Sequence, residues 1–280
     1  MAPAVTSEAA TLRKRAYGRA GSAAYLRSHR KLLWRSLRGE LHARYAGSIL
    51  GATWVFVAPA LLLTVYGLIY LAVYRIRTSD LGSTGYVLYI FAGLVPYLMT
   101  AEALTQGANS IVANRSLLAN TVFPIDLAPA RAVLTSLPIL LVGLTIVVVA
   151  AAASGRLHWT ALLVPAVIVL QVLALMGAAW FLSLVTVVVR DLQYVLAVLL
   201  LVLLVASPIA YTTAMIHGAV RLLIYVNPLA WFVLAYQKLL VLGEVPGTLH
   251  WLGLIAAGGG LFVGGSRFFA WAKRVAMDYV

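Results

Sequence analysis

The sequence predicts an all-α polytopic membrane protein: six transmembrane helices, an N-terminal amphipathic interface helix, and a re-entrant extracytoplasmic helix pair before the last span. Hydrophobic residues make up 63% of the 280 residues, charged residues only 10%, and the mean hydropathy is +0.97. A soluble domain carries roughly 25% charged residues. Several apolar runs reach the roughly 20 residues that a helix needs to cross the hydrocarbon. Helix is the expected element because it satisfies its own backbone hydrogen bonds there.

The first elements along the chain are a tail and an interface helix. Residues 1–22 are polar, basic and rich in small residues, without the apolar core of a cleavable signal peptide, and they predict a flexible cytoplasmic tail. Residues 23–46 predict a basic amphipathic helix lying in the membrane interface. Arg30 and Arg44 intrude on its apolar face, so a plain juxtamembrane anchor explains the pattern equally well. Its apolar face is formed by Leu26, Leu33, Trp34, Leu37 and Leu41, and its opposite face by Lys31, Arg35 and Arg38.

Six spans are predicted from the apolar runs. The charged pair Arg190-Asp191 interrupts the longest run and is interpreted as a short turn between the fourth and fifth spans. Four prolines fall within the spans and indicate kinks or helix ends: Pro59, Pro96, Pro138 and Pro165. The predicted spans are approximately 51–74, 86–110, 131–153, 159–188, 192–213 and 251–269.

Residues 214–250 are the ambiguous part of the chain. A seventh span is one interpretation, but Asn227-Pro228 falls in its middle and Arg221 and Lys238 bracket too few uncharged positions. Two short helices that enter and leave from one face fit the pattern better, since irregular backbone is tolerated at membrane depth where protein buries it.

The distribution of Lys and Arg predicts the orientation. With six spans the two termini share one side, and that side carries 16 of the 21 Lys and Arg residues. The positive-inside rule therefore places both termini in the cytoplasm. The net charge of +13 is explained by anionic lipid, because no nucleic-acid-binding module accompanies it.

Several classes of chemistry are missing from the sequence. There is no Walker loop for ATP, no metal-ligand spacing among the five His, no G-x-S-x-G turn and no Cys. Glu102 is the only acid within a predicted span, whereas secondary transporters generally show more intramembrane charge. We expect a chain that is not an enzyme by itself, with no cofactor of its own and with energy supplied by another polypeptide.

Five motifs in order resemble the permeases of ABC type-2 exporters, over approximately residues 25–280. Each motif is weak alone, and the order and topology give the resemblance its weight. The first span is similar in Arg44-Tyr45, Ser48 to Gly51, Trp54 and Pro59, and the second in YIFAGLVPY at 89–97. The remaining matches are NRSLLANTVFP at 114–124, Arg190-Asp191 with Ser207-Pro208-Ile209 and Tyr211, and Asn227-Pro228. Within the family, the first-span string most resembles permeases that export lipid-linked polysaccharide, such as O-antigen or teichoic acid.

The resemblance implies a half-transporter whose ABC type-2 transmembrane domain spans 51–280, in the bacterial inner membrane. Two copies would pair, and two copies of a separate ATPase would bind ATP and Mg. Two cytoplasmic elements are expected to contact that ATPase; the alternative for the second is turn chemistry at a membrane edge. Asp191 is also expected to cap the fifth span. The contact residues implied are Asn114, Arg115, Leu118, Phe123, Pro124, Arg190 and Asp191.

Two further sets of residues are candidates for contacting a lipid-linked glycan. Aromatic rings pack on sugar C–H groups, and they are also enriched at membrane interfaces for other reasons. Cations near the cytoplasmic interface suit a lipid diphosphate, and bulk anionic lipid suits them equally. The channel candidates are Tyr66, Tyr70, Tyr74, Tyr89 and Tyr97, and the headgroup candidates are Arg30, Arg38 and Arg44.

Two other functions stay open at this level. One keeps the family and changes the cargo to a drug or another lipid. The other is a membrane scaffold or an enzyme acting on lipid, which is weakened by the lack of an acid–base constellation in the spans. The glycines Gly258 to Gly260 with Gly264 and Gly265 predict close helix packing, within the subunit or between two copies.

Overall fold

The computed structural model describes residues 26, 28–69, 81–115, 124–211, 224 and 226–276. Within these residues all regular structure is helical, which confirms the all-α class. Short 3₁₀ turns, Gly51–Thr53 and Trp159–Leu163, precede the second and fifth helices, and the π-helical turn Lys238–Leu242 extends the seventh. The α-helices are α1 (Arg30–Tyr45), α2 (Trp54–Leu68), α3 (Gly82–Ala113), α4 (Leu127–Ala153), α5 (Val164–Val188), α6 (Leu192–Ala206), α7 (Pro228–Gln237) and α8 (Thr248–Ala276).

Four helices are long and apolar enough to cross a membrane: α3, α4, α8, and α5 with its preceding 3₁₀ turn. The second, third, fourth and sixth predicted spans lie within them. α2 and α6 are apolar but have only 15 residues each in the described part of the chain. Residues 70–74 of the predicted first span lie outside the described residues, and α6 ends where Ser207 becomes extended. The chain is thus a membrane protein by its helices, while the count of six spans stays a prediction.

The four prolines lie either inside a helix or in its first turn, and a membrane helix tolerates proline at both places. Pro59, Pro96 and Pro138 lie inside α2, α3 and α4. Pro165 lies in the first turn of α5, where its missing N–H has no intrahelical partner to lose. It therefore marks a helix start.

α1 packs on the bundle through a narrower face than the sequence predicts. Leu37 is buried and Leu33 and Leu41 are half-buried, whereas Lys31 and Arg35 are exposed as expected. Trp34 departs from the prediction because it lies at the edge of the apolar stripe and is 54% exposed. The guanidinium of Arg38, one turn further on, covers its ring at 5.1 Å from the centroid.

α3 is the central helix of the bundle. The most apolar stretch of α3 is 72% buried, compared with 39% for α4 and α5 and 28% for α8. A buried amide joins α3 to two other helices: Gln171 of α5 donates to the Pro96 carbonyl and to the Thr100 hydroxyl, both at 3.0 Å. Tyr236 of α7 donates to the Gln171 Oε1 at 2.8 Å. These bonds satisfy polar groups that would be costly to bury alone.

α5 and α8 approach each other closely through glycines. A Cβ on Gly265 would overlap the carbonyl oxygen of Gly177, and a Cβ on Gly258 would lie 2.8 Å from the Leu170 oxygen. Gly264 has nothing within 4 Å of a Cβ position. Gly258 and Gly265 therefore act in packing within the subunit, one of the two roles that the sequence left open.

The Ser207-Pro208 and Asn227-Pro228 motifs meet at the end of the bundle predicted to be extracytoplasmic. Asn227 Nδ2 donates to the Ser207 hydroxyl at 3.0 Å, and Asn227 Oδ1 accepts from the Leu229 amide, which caps α7. Gln237, at the end of α7, donates to the Pro208 carbonyl at 2.9 Å. α7 is buried on most sides. The re-entrant pair stays a prediction, because most of its first member lies outside the described residues.

A candidate coupling site and lipid groove

Arg131 connects three elements at the predicted cytoplasmic end of the bundle. It lies in the second turn of α4, and its side chain is 10% exposed. Its Nη1 donates to the Ser36 hydroxyl of α1 at 2.9 Å, and its Nη2 donates to Asn114 Oδ1 at 2.9 Å. The Glu40 carboxylate of α1 lies 3.4 Å from the same Nη2. The planar guanidinium suits this geometry because it presents several donors in fixed directions.

Asp126 anchors the other side of the same segment. The carboxylate of Asp126 is completely buried and lies 3.1 and 3.2 Å from the ammonium of Lys273 on α8. The Asp126 carbonyl accepts a hydrogen bond from the indole of Trp180 on α5 at 3.0 Å. A buried ion pair is tolerated when both charges are neutralised and hydrogen-bonded. The ion pair therefore ties the start of α4 to α8, and the hydrogen bond from Trp180 ties it to α5.

The predicted ATPase-contact segment is thus held at both described ends. Asn114 follows α3 and is bound by Arg131, and Pro124 lies buried two residues before Asp126. Arg115 is exposed beside Asn114. Leu118 and Phe123 lie outside the described residues.

The Arg190-Asp191 turn connects α5 to α6 as predicted. Both residues are exposed, in keeping with a turn outside the apolar bundle. Asp191 occupies the N-cap position of α6 but has a helical backbone, and its side chain makes no capping hydrogen bond. The predicted cap is therefore wrong, because an N-cap side chain reaches the next turn only from a non-helical backbone.

An apolar groove of about 480 Å³ opens between α2, α3 and α4. Arg44 and Glu102 form an ion pair within it, and both side chains are about one-third exposed or less. The groove therefore combines a long apolar wall with one charged end. The wall is formed by Trp54, Val55, Ala58, Pro59, Leu62, Leu98, Ala101, Pro138 and Ile139.

The three headgroup candidates do not form one cluster. Arg44 lines the groove, Arg38 covers Trp34, and Arg30 is exposed at the start of α1.

The tyrosines predicted to line a path lie in different surroundings. Tyr66 is half-buried on α2, whereas Tyr89 and Tyr97 are 3% and 7% exposed inside the bundle. The Tyr97 hydroxyl donates to the Leu200 carbonyl of α6 at 2.9 Å. Tyr70 and Tyr74 lie outside the described residues.

Sequence reasoning assigned no role to Arg131, Asp126 or Lys273. A signal was present, since each is a charge at or a few residues outside the end of a predicted span, where polar side chains often have specific partners. Their partners were not visible, because each lies on another helix. Among the described residues, no group of three His, Asp or Glu is placed to hold a metal ion.

The family follows from a match over most of the chain. Residues 31–241 match the family described as "ABC-2 type transporter". The chain belongs to the ABC-2 type transporter family. The matched residues include nearly all of α1, the segment from Asn114 to Pro124, the Arg190-Asp191 turn, α7 and most of its π-helical extension.

Curated relatives share the greater part of their length with this chain. An "O-antigen export system permease protein RfbA" of Myxococcus xanthus is 30% identical over 224 residues, which is 79% of this chain and 84% of the relative. A Klebsiella pneumoniae protein of the same name is 26% identical over 235 residues, 80% of this chain and 87% of the relative. A second Klebsiella pneumoniae protein of that name is 26% identical over 211 residues.

Proposed function

We propose that the chain is the transmembrane permease subunit of an ATP-driven exporter of lipid-linked polysaccharide. The observation that carries the proposal is the similarity to three O-antigen export permeases along most of their length. The family membership and the apolar helices are consistent with it. Export runs from the cytoplasm across the bacterial inner membrane, with both termini of the chain in the cytoplasm.

The complex we propose contains two copies of this chain and two copies of a separate ATPase, which binds ATP and Mg. The Asn114–Pro124 segment and the Arg190-Asp191 turn contact the ATPase. The exposure of Arg115, Arg190 and Asp191 supports these contacts, because a docking residue must be accessible before the partner binds.

The groove beside α2 is proposed as the place where the lipid carrier enters. Its apolar wall suits a lipid chain, and Arg44 at its charged end suits a phosphate. Glu102 neutralises Arg44 when no anionic headgroup is bound, so a phosphate has to displace a carboxylate. A path lined by Tyr66, Tyr70, Tyr74, Tyr89 and Tyr97 remains part of the proposal for the glycan.

Co-purification tests the assembly, and native mass spectrometry tests the cargo. We expect the full-length chain, expressed with its neighbouring genes and extracted in mild detergent, to retain an ATPase that carries a Walker motif. Absence of any ATPase would contradict the proposal. The bound lipid should be a glycan diphosphate lipid, whereas a drug-sized molecule or an unglycosylated lipid would point to the other cargo class.

A further inference from the structure

We propose that Arg131 is a positioning residue that couples the ATPase-contact segment to the interface helix α1. The inference rests on the proposed function, because it assigns a path for the force that an ATPase delivers at that segment. It begins from one observation: a single nearly buried guanidinium binds Asn114 on one side and Ser36 and Glu40 on the other.

The contacts of Arg131 connect α1 to the bundle through polar groups, as the Arg44–Glu102 ion pair does one turn further along α1. Leu37 is the one buried apolar residue in the described part of α1, so the apolar contact between α1 and the bundle is modest. Two charge-assisted interactions with Arg131 therefore help to hold α1 in place, together with the Arg44–Glu102 pair. A displacement of Asn114 changes the geometry of both.

Arg131 also has room to exchange partners. A cavity of about 80 Å³ lies beside it, lined by polar groups of Gln106, Ser110, Asn114 and Thr135. Such a cavity accommodates water, which replaces a hydrogen bond while a partner moves. The Asp126–Lys273 pair offers a contrast, because both of its side chains are almost completely buried. The Arg131 contacts are thus the adjustable side of the segment, and the Asp126 contacts are the fixed side.

The path continues from α1 into the groove. Glu40 and Arg44 are four residues apart, so they lie one above the other on the same face of α1. Glu40 is bound by Arg131, and Arg44 is paired with Glu102 inside the groove. A shift of α1 at Glu40 therefore moves the cation at the charged end of the groove.

The first experiment compares Arg131→Met with Arg131→Lys in the complete complex with its ATPase. Complex yield and ATP hydrolysis are measured after reconstitution in vesicles of host lipid, and surface glycan is measured in a deletion strain that expresses each variant. We expect Arg131→Met to keep assembly and hydrolysis and to lower export by about tenfold, a typical coupling between two sites. Arg131→Lys should recover part of the export, since it keeps the positive charge. The recovery should be incomplete because an ammonium lacks the planar set of donors of a guanidinium. Arg35→Met is the matched control, because Arg35 is an exposed cation of α1, the helix that Arg131 contacts.

A second set of variants leaves Arg131 in place. Ser36→Ala/Glu40→Gln removes its α1 contacts, and Asn114→Ala removes its contact with the segment. If Arg131 relays a signal, its contacts with α1 and with Asn114 act in series. The variant that combines all three changes should then export no less glycan than whichever of the two separate variants exports less. Additive losses overturn the proposal. So does wild-type export in Arg131→Met, or a loss of hydrolysis and assembly in proportion to the loss of export.

A distance measurement separates this inference from the proposed function. If the wild-type complex exports no glycan, the proposed function fails, and the physical tie is tested in the chain alone. Spin labels on Gly39→Cys and Val112→Cys, in a protein with no other Cys, report the distance between α1 and the end of α3. Arg131→Met should broaden that distance distribution and Arg35→Met should not. An unchanged width contradicts the tie.

Discussion

At the scale of single residues, buried polar side chains join neighbouring helices through hydrogen bonds. Gln171 is 1% exposed and uses both ends of its amide, with donors to α3 and an acceptor for α7. Within a membrane bundle such bonds help to decide which helices pack together. Apolar side chains cannot do this by burial alone, because lipid tails are as apolar as they are.

Replacement of Gln171 by Leu should destabilise the bundle by about 1–2 kcal/mol. The change removes the three hydrogen bonds of the amide and leaves the Tyr236 hydroxyl buried without its acceptor. Unfolding in mixed detergent micelles measures the difference in free energy. Gln106→Leu is the matched control, because Gln106 is exposed, and it should have little effect. Equal effects of the two changes would argue against the network.

Arg190 offers a prediction about function at the same scale. Arg190→Glu should lower export by about tenfold, or about 1.4 kcal/mol of coupling, while insertion and amount of protein stay unchanged. The reason is that Arg190 is exposed in a short turn and is proposed to pair with an acid of the ATPase. Surface glycan and ATP hydrolysis are measured in parallel, with Arg190→Lys as the charge-conserving control. Unchanged export in Arg190→Glu would assign the residue to turn chemistry alone.

At the scale of elements, glycine position decides how α5 and α8 pack. Gly177 and Gly265 face each other, with no space for a Cβ, whereas the neighbouring Gly264 faces open space. Close approach of two helix backbones increases van der Waals contact, which drives association where no hydrophobic effect operates.

Gly265→Ala and Gly264→Ala should therefore differ clearly in their effect on stability. The first forces α5 and α8 apart and should cost about 1–3 kcal/mol, as overpacking usually does. The second adds a methyl group to an open helix face and should be neutral or stabilising by up to about 1 kcal/mol. Thermal unfolding of the purified protein distinguishes them, and a loss in Gly264→Ala as large as in Gly265→Ala would contradict this packing.

At the scale of the whole molecule, contacts arrange the connecting segments at two ends of the bundle. At one end, Asn114 is hydrogen-bonded to Arg131, and Asp126 is paired with Lys273. Ser207 and Asn227 meet at the other. This arrangement is compatible with the orientation that the Lys and Arg distribution predicts.

Because the chain has no Cys, single cysteines can report this orientation without background. Ser154→Cys should react with a membrane-impermeant maleimide in intact cells, and Asp191→Cys only after the inner membrane is opened. Asp278→Cys distinguishes six spans from seven, since six spans keep it protected in intact cells. Labelling of Asp278→Cys from outside would support seven, and reversed behaviour of the first two would invert the orientation.

The sequence alone determined the membrane class, the all-helical fold, the four long spans among the six predicted, and the family. Each of these rests on composition, on runs of consecutive apolar residues or on short motifs, which are local along the chain and need no partner to be recognised. The Arg190-Asp191 turn is of this kind, since two adjacent charges in an apolar run have to leave the hydrocarbon.

The tertiary structure alone decided which distant side chains meet. Arg131 with Glu40, Asp126 with Lys273, and Arg44 with Glu102 are pairs between helices, and the sequence holds no periodicity that specifies them. The burial of Tyr89 and Tyr97 inside the bundle is of the same kind, since residue type alone does not specify how deeply a side chain is packed. The physical reason is that contacts between helices depend on which faces pack together. A span that is apolar on all sides has no polar face in its sequence to indicate the side that packs.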